Sequence, residues 1–116
     1  MNKITIYHNP RCRKSRETLQ IIIAKGLEPD VIEYLKNPLD VNELKKISEK
    51  LGLRPKDFIR QNEQEFKAAG LRDKLEDDEE LFRRMEATPK LMERPIVVKG
   101  NKAVLGRPPK NVYDLL

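Results

Sequence analysis

Lys3-Ile4-Thr5-Ile6-Tyr7-His8-Asn9-Pro10-Arg11-Cys12 is the stretch on which the fold turns. Its first half is β-branched and aromatic with apolar residues near alternate positions, which predicts a strand over 3–7. His8-Asn9-Pro10 breaks that strand. From about Cys12 to Lys25 helix formers dominate, Leu19, Ile22 and Ile23 give the helix an apolar face, and Gly26 stands where a C-terminal cap is wanted. Val31-Ile32-Glu33-Tyr34-Leu35, between Pro29 and Asn37-Pro38, reads as a second short strand. Strand, helix and strand in this order make a βαβ unit, with a parallel pair and a right-handed crossover.

Moving outward, the pattern becomes helical. Asp40 with Glu43 predicts a capping box, Leu39 and Leu44 a hydrophobic staple, and Leu44, Ile47 and Leu51 a buried stripe that stops at Gly52. Pro55 opens a short helical piece carrying Phe58 and Ile59; Asn62 with Glu65 caps another that ends near Gly70; Asp78 starts a third with Leu81, Phe82 and Met85 facing inward. After Pro89 the β pattern returns. Ile96-Val97-Val98 and Ala103-Val104-Leu105 flank Gly100-Asn101, which predicts a tight antiparallel hairpin. Pro108-Pro109 then begins a last short helix with Val112, Tyr113, Leu115 and Leu116 available for docking on the sheet. The economical closure is an α/β thioredoxin-like fold: a mixed four-stranded sheet with an inserted helical subdomain. The chain is read as a single domain over 1–116, with a core of about 1–37 and 89–116 and a helical insert of about 38–88.

Composition narrows the function. At 116 residues the chain has one domain's worth of sequence, and with 38% apolar and 37% charged residues it still supports a core, because the apolar residues fall in periodic blocks. No apolar run approaches the roughly 20 residues that cross a bilayer, and the N-terminus lacks a secretory pattern, so a cytoplasmic protein without a membrane role is expected. One Cys and one His cannot supply the soft ligand set of a structural metal, so no metal is expected, and no internal disulfide can form. The formal charge of +5 is unevenly spread: Arg11, Arg13, Lys14 and Arg16 crowd around the only thiol, whereas 76–80 is a run of acids. That short cationic spot suits a small anion better than a nucleic-acid backbone, and no predicted helix has a continuous basic face.

Cys12 follows a strand and opens a helix, where free N–H groups and the positive end of the dipole favour an anion. The dipole contributes about 0.3 to 1 kcal/mol, and up to about 2, whereas lowering a thiol pKa by two units requires about 2.7 kcal/mol. Neighbouring cations must add the rest; His8, Arg11, Arg13 and more distant arginines are the candidates. A lone cytosolic cysteine is commonly buried and inert, but polar neighbours on both sides of Cys12 point to the reactive alternative. Ser15 occupies the place of the second cysteine in a C-x-x-C motif. A two-electron reduction by this thiol therefore requires an external thiol, for which glutathione is the obvious cytosolic species, and leaves a mixed disulfide for a second thiol to clear.

The tract from Tyr7 to Ser15 resembles the active-site signature of the glutaredoxin-coupled arsenate reductase family. Leu91-Met92-Glu93-Arg94-Pro95-Ile96-Val97-Val98 and Gly106-Arg107-Pro108 resemble two further signatures of that family, and Arg60-Gln61-Asn62 matches a basic position in its helical insert. The resemblance implies a thioredoxin-like enzyme that reduces arsenate to arsenite, with glutathione as co-substrate, no bound cofactor, glutaredoxin as partner and a monomeric state. It implies Cys12 as nucleophile and Arg60, Arg94 and Arg107 as oxyanion ligands, a task to which the planar guanidinium fork is suited. His8 then either helps to hold the thiolate or is a structural hydrogen-bonder; Ser15 either donates to the sulfur or caps the helix. Pro95 is implied to be cis and to face Cys12, the alternative being a simple strand-start proline. Two other functions remain open to the sequence. One is a glutathione-dependent thiol oxidoreductase with a different substrate. The other is an RNA polymerase-binding regulator of the same superfamily, whose usual C-x-x-C switch Ser15 removes.

Overall fold

Residues 4–8 alternate between the two faces of a strand, β1 (Ile4–His8), with Ile4, Ile6 and His8 buried. The computed structural model describes residues 3–116, so the first two positions of the expected domain lie outside the described residues. Helix α1 spans Arg13–Ala24, and β2, Asp30–Glu33, pairs in parallel with β1. Antiparallel β3 (Ile96–Lys99) and β4 (Lys102–Leu105) complete a mixed sheet of order β2-β1-β3-β4. Gly100 takes the positive φ of 63° on which the hairpin turn depends, and Asn101 does not, the pattern of a type II′ turn.

The polypeptide forms two compact units. The first joins residues up to Asn37 with Arg94–Leu116; the second is Pro38–Glu93. In the first, Ile4, Ile6, Ile22, Val97, Val112 and Leu115 form a closed apolar core, with Leu19, Ile21, Val104 and Leu116 packed against it. The terminal segment Pro109–Asp114 is a 3-10 helix packed on α1 and β4. Tyr113, expected to dock, is half exposed instead and lies under Lys25, whose Nζ is 5.5 Å from the ring centroid. Ile23 is likewise exposed at 50%, against expectation. The face that α1 buries runs through Ser15, Thr18 and Ile22, a helical spacing to which Ile23 does not belong.

In the second unit α2 (Val41–Leu51) begins with the expected reciprocal box: Glu43 N donates to Asp40 Oδ1 at 2.8 Å and Asp40 N to Glu43 Oε1 at 3.2 Å. Helix α3 (Gln64–Ala68) is capped at Glu63 and not by Asn62, and α4 (Asp78–Ala87) by Asp77, whose carboxylate accepts from Glu80 N. Leu44, Ile47, Phe58, Leu81, Phe82 and Met85 are all buried. The segment after Pro89 stays with this unit because Ile59 bridges Met92, and Glu93 N donates to Phe58 O at 2.8 Å. The chain accordingly returns to the sheet unit at Arg94.

One close approach in the sheet unit admits glycine only. A Cβ on Gly106 would sit 2.5 Å from Thr18 Oγ1 and 2.6 Å from Pro95 Cγ. Gly106→Ala is expected to lower stability by about 1–3 kcal/mol, read as a lower urea midpoint at unchanged slope. A loss below about 0.5 kcal/mol would show that this contact is loose.

Candidate active site

Where β1 ends, Asn9 folds the chain back on itself. Its carbonyl accepts from Cys12 N at 2.9 Å and its side-chain Oδ1 from Arg11 N at 3.0 Å, an Asx turn that delivers Cys12 as the N-cap of α1. Cys12 is extended at φ −95°, ψ 122°, and its carbonyl accepts the first helical bond, from Arg16 N at 3.0 Å. The sulfur is thus placed where a capping oxygen usually sits, facing the N–H groups of the first turn, with no acid in that turn to oppose an anion.

Cys12 is partly exposed, and its pKa lies below the ordinary thiol value. Burial pushes the thiol up, but the backbone N–H of Ser15, the hydrogen bond and charge of Arg94, and the backbone N–H of Lys14 together outweigh it. The N–H contacts are loose, since no cap hydrogen bond closes at the sulfur. Arg94 is the dominant cation. Arg107 places Nη1 3.9 Å from Sγ and donates to Arg94 O at 3.2 Å.

Two Arg-Pro steps supply these guanidinium groups. The Arg94–Pro95 and Arg107–Pro108 bonds are both cis, and Gly106 N donates to Pro95 O at 2.9 Å, linking the two loops. The family resemblance implies the cis bond at Pro95; the cis bond at Pro108 is a second one, at the repeat of the same Arg-Pro dipeptide. Arg94 Nε is buried and has no hydrogen-bond acceptor among the described residues. A buried guanidinium N–H without an acceptor is costly, and a bound anion would supply one.

The sequence leaves two roles open for His8 and two for Ser15, and the structure brings these two residues together. His8 is buried at 6% exposure, and burial lowers its pKa below 6.5; the charge of Glu33 opposes that shift and that of Arg16 adds to it. It is therefore neutral at pH 7 and supplies no positive charge to the sulfur. Its Nδ1 lies 2.7 Å from Ser15 Oγ, and Ser15 Oγ also accepts from Asn9 N at 3.0 Å. The Ser15 hydroxyl thus bonds the imidazole and the Asn9 N–H, and the group of Ser15 that lowers the Cys12 pKa is its backbone N–H. Arg11 and Arg13 are exposed, and Arg13 Nε is committed to Glu17 Oε1 at 2.8 Å. Neither is among the groups that lower the thiol.

Arg60 belongs to the helical unit. There its Nε donates to Glu63 Oε1 at 3.0 Å and Nη1 lies 3.7 Å from Glu93 Oε2, so carboxylates compensate its charge. Among the described residues no group of three or more His, Cys, Asp or Glu side chains is placed to hold a metal ion, and no helix is long and apolar enough to cross a membrane.

A β2-β1-β3-β4 sheet, a cysteine capping the first helix and a cis-proline loop beside it define a thioredoxin-like fold with one thiol at the start of its first helix. The chain belongs to the ArsC family, whose model matches residues 7–115. It is 44% identical to the Escherichia coli K12 protein YfgD over 98% of this chain and 97% of that one. It is 40% identical to an arsenate reductase of Haemophilus influenzae, over 97% and 98% of the two chains. The solved structure of an arsenate reductase from Vibrio cholerae superposes with a TM-score of 0.95 at 43% identity, covering 99% of this chain and 98% of that one.

Because the folded protein resists protonating His8 and the unfolded chain does not, the unfolded state binds more protons as pH falls below about 6.5. Stability is expected to be level above that value and to decline below it, and His8→Gln should flatten this part of the profile in urea titrations from pH 5 to 8. An unchanged acid slope in the variant would assign the decline to other groups.

Proposed function

We propose that the protein is an arsenate reductase, an oxidoreductase whose nucleophile is Cys12 and whose oxyanion ligands include Arg94 and Arg107. One observation carries this reading: the buried Arg94 Nε lacks an acceptor, and the same guanidinium helps to lower the pKa of the Cys12 thiol. A tetrahedral oxyanion satisfies that donor while presenting its central atom to sulfur. The resemblance to named arsenate reductases at about 40% identity over the whole chain supports the same choice of substrate.

In this reading the Cys12 thiolate displaces one oxygen of arsenate as water, and a sulfur–arsenic bond forms. The guanidinium groups hold the remaining oxygens and neutralise their charge. Ser15 leaves no second cysteine at the turn, so the thiolate of glutathione attacks the Cys12 sulfur. The sulfur–sulfur bond forms, the sulfur–arsenic bond breaks, and its electron pair stays on arsenic, which leaves as arsenite. Glutaredoxin then clears the mixed disulfide and returns Cys12. Pro95 holds the Arg94 backbone at the site, and His8 and Ser15 act by fixing the Asn9–Cys12 turn. The assignment of Arg60 as an oxyanion ligand rests on the sequence resemblance. No cofactor, metal or nucleic acid takes part, and the setting is the reducing cytoplasm with the chain acting as a monomer.

With glutathione, glutaredoxin, glutathione reductase and NADPH, the protein is expected to consume NADPH only when arsenate is added. Cys12→Ser should abolish this turnover, and Arg94→Ala should lower kcat/KM by about 100-fold. Arsenate-independent or absent turnover in the wild type would contradict the assignment. In that event a glutathione adduct on Cys12, formed without arsenate and removed by glutaredoxin, would identify a thiol oxidoreductase of another substrate class.

A further inference from the structure

The chemistry above needs a thiol from outside the chain, and the sheet unit contains a second concave site beside the loop that carries Cys12. A cleft of about 380 Å³ is lined by His8, Asn9, Pro10, Arg11, Glu33 and Lys36, with Leu35 at its apolar side. It falls within the roughly 300–1,000 Å³ range that small-molecule sites occupy. Its charges are mixed in a particular way. The Arg11 guanidinium makes no ion pair among the described residues, while Lys36 Nζ lies 3.6 Å from Glu33 Oε1 in an exposed, weak pair. The cleft thus presents two cations and one carboxylate around Leu35, which is 44% exposed although large and apolar.

We infer that this cleft binds glutathione, the thiol co-substrate, and sets it against Cys12. Glutathione is a zwitterion with two carboxylates and one ammonium, so Arg11 and Lys36 face the carboxylates and Glu33 the ammonium. This inference rests on the reading of Cys12 as a nucleophile resolved by an external thiol. Reach is sufficient: Arg11 lines the cleft and is the residue before Cys12, so the two Cα atoms are about 3.8 Å apart. An extended tripeptide spans about 10 Å, so one anchored arm leaves its central thiol within a residue's length of the nucleophile. The site is mechanically defined as well. Arg11 N is held by Asn9 Oδ1, and the turn after β2 is closed by Lys36 N and Asn37 N donating to Glu33 O at 3.0 and 2.9 Å. Oxyanion and thiol then have separate cationic ligands: Arg94 and Arg107 for the first, Arg11 and Lys36 for the second.

The test uses S-methylglutathione, which cannot react, titrated into the wild-type protein and followed by amide chemical shifts. Saturable shifts centred on residues 8–11 and 33–36 are expected; shifts centred elsewhere, or none, would overturn the proposal. This readout is independent of arsenate turnover, so it can fail while the reductase reading stands, and the reverse. In the coupled assay the surface variant Arg11→Glu/Lys36→Glu should raise KM for glutathione about tenfold or more, with KM for arsenate within about twofold. An equal rise in both constants, or none in that for glutathione, would place the thiol outside this cleft. Alkylation of Cys12 at the wild-type rate in the same variant checks that the nucleophile itself is intact.

Discussion

The lowering of the Cys12 thiol pKa against the cost of burial is the interaction on which the rest of the site depends. Burial raises the thiol pKa, and partial burial is unavoidable for a residue that caps a helix packed on a sheet. The opposing contributions come from two sources with different logic. Backbone N–H groups of Lys14 and Ser15 are supplied by the helix start itself, whereas Arg94 arrives from the far end of the sequence at the start of β3. A helix terminus alone contributes at most about 2 kcal/mol, and the distant guanidinium adds its hydrogen bond and its charge to it.

The architecture that delivers Arg94 is economical. β3 lies beside β1 in the sheet, so Arg94, two residues before β3, comes to the end of β1 from which the chain runs on to Cys12. Gly106, at the end of β4, lets the Pro95 ring and Thr18 approach within contact distance, and its N–H holds the Pro95 carbonyl. Arg107 follows at once and binds the Arg94 carbonyl. The guanidinium pair is therefore positioned by backbone geometry and by a side-chain-free residue, not by salt bridges. Arg94 Nε keeps its hydrogen-bonding capacity for an anion because no carboxylate is bound to it. Arg60, with Glu63 and Glu93 as neighbours, is in the opposite situation.

Much of this was readable in the residues. The strands were legible from their two-residue period, the hairpin from Gly100-Asn101, and the start of α2 from the Asp40/Glu43 spacing, because each is a local signal with a single structural solution. The face of α1 was not, since hydropathy favours Ile23 over Ser15 and Thr18. These polar side chains are buried because partners are at hand: Thr18 Oγ1 donates to Lys14 O at 2.8 Å, and Ser15 bonds His8 and Asn9. In the acidic run, Asp77 and Asp78 are equivalent caps by residue type; Asp77 takes the cap, and Asp78 bonds Arg54 instead. At the site, Cys12, Arg94 and Arg107 were legible only through three separated motifs read together. The charge state of His8 was not legible, since it depends on burial that no local pattern encodes. The apparent cationic ring of Arg11, Arg13 and Lys14 was misleading for the same reason: side chains near in sequence point to solvent, and the effective cation comes from another strand.

The central claim is that the Cys12 sulfur is held as a thiolate chiefly by Arg94 and the first turn of α1. Its most direct measurement is the pH dependence of Cys12 alkylation by iodoacetamide in the native protein. A midpoint clearly below the ordinary thiol value of about 8.5, moving upward in Arg94→Gln, is the predicted result. A midpoint at or above that value, or one indifferent to Arg94, would contradict it.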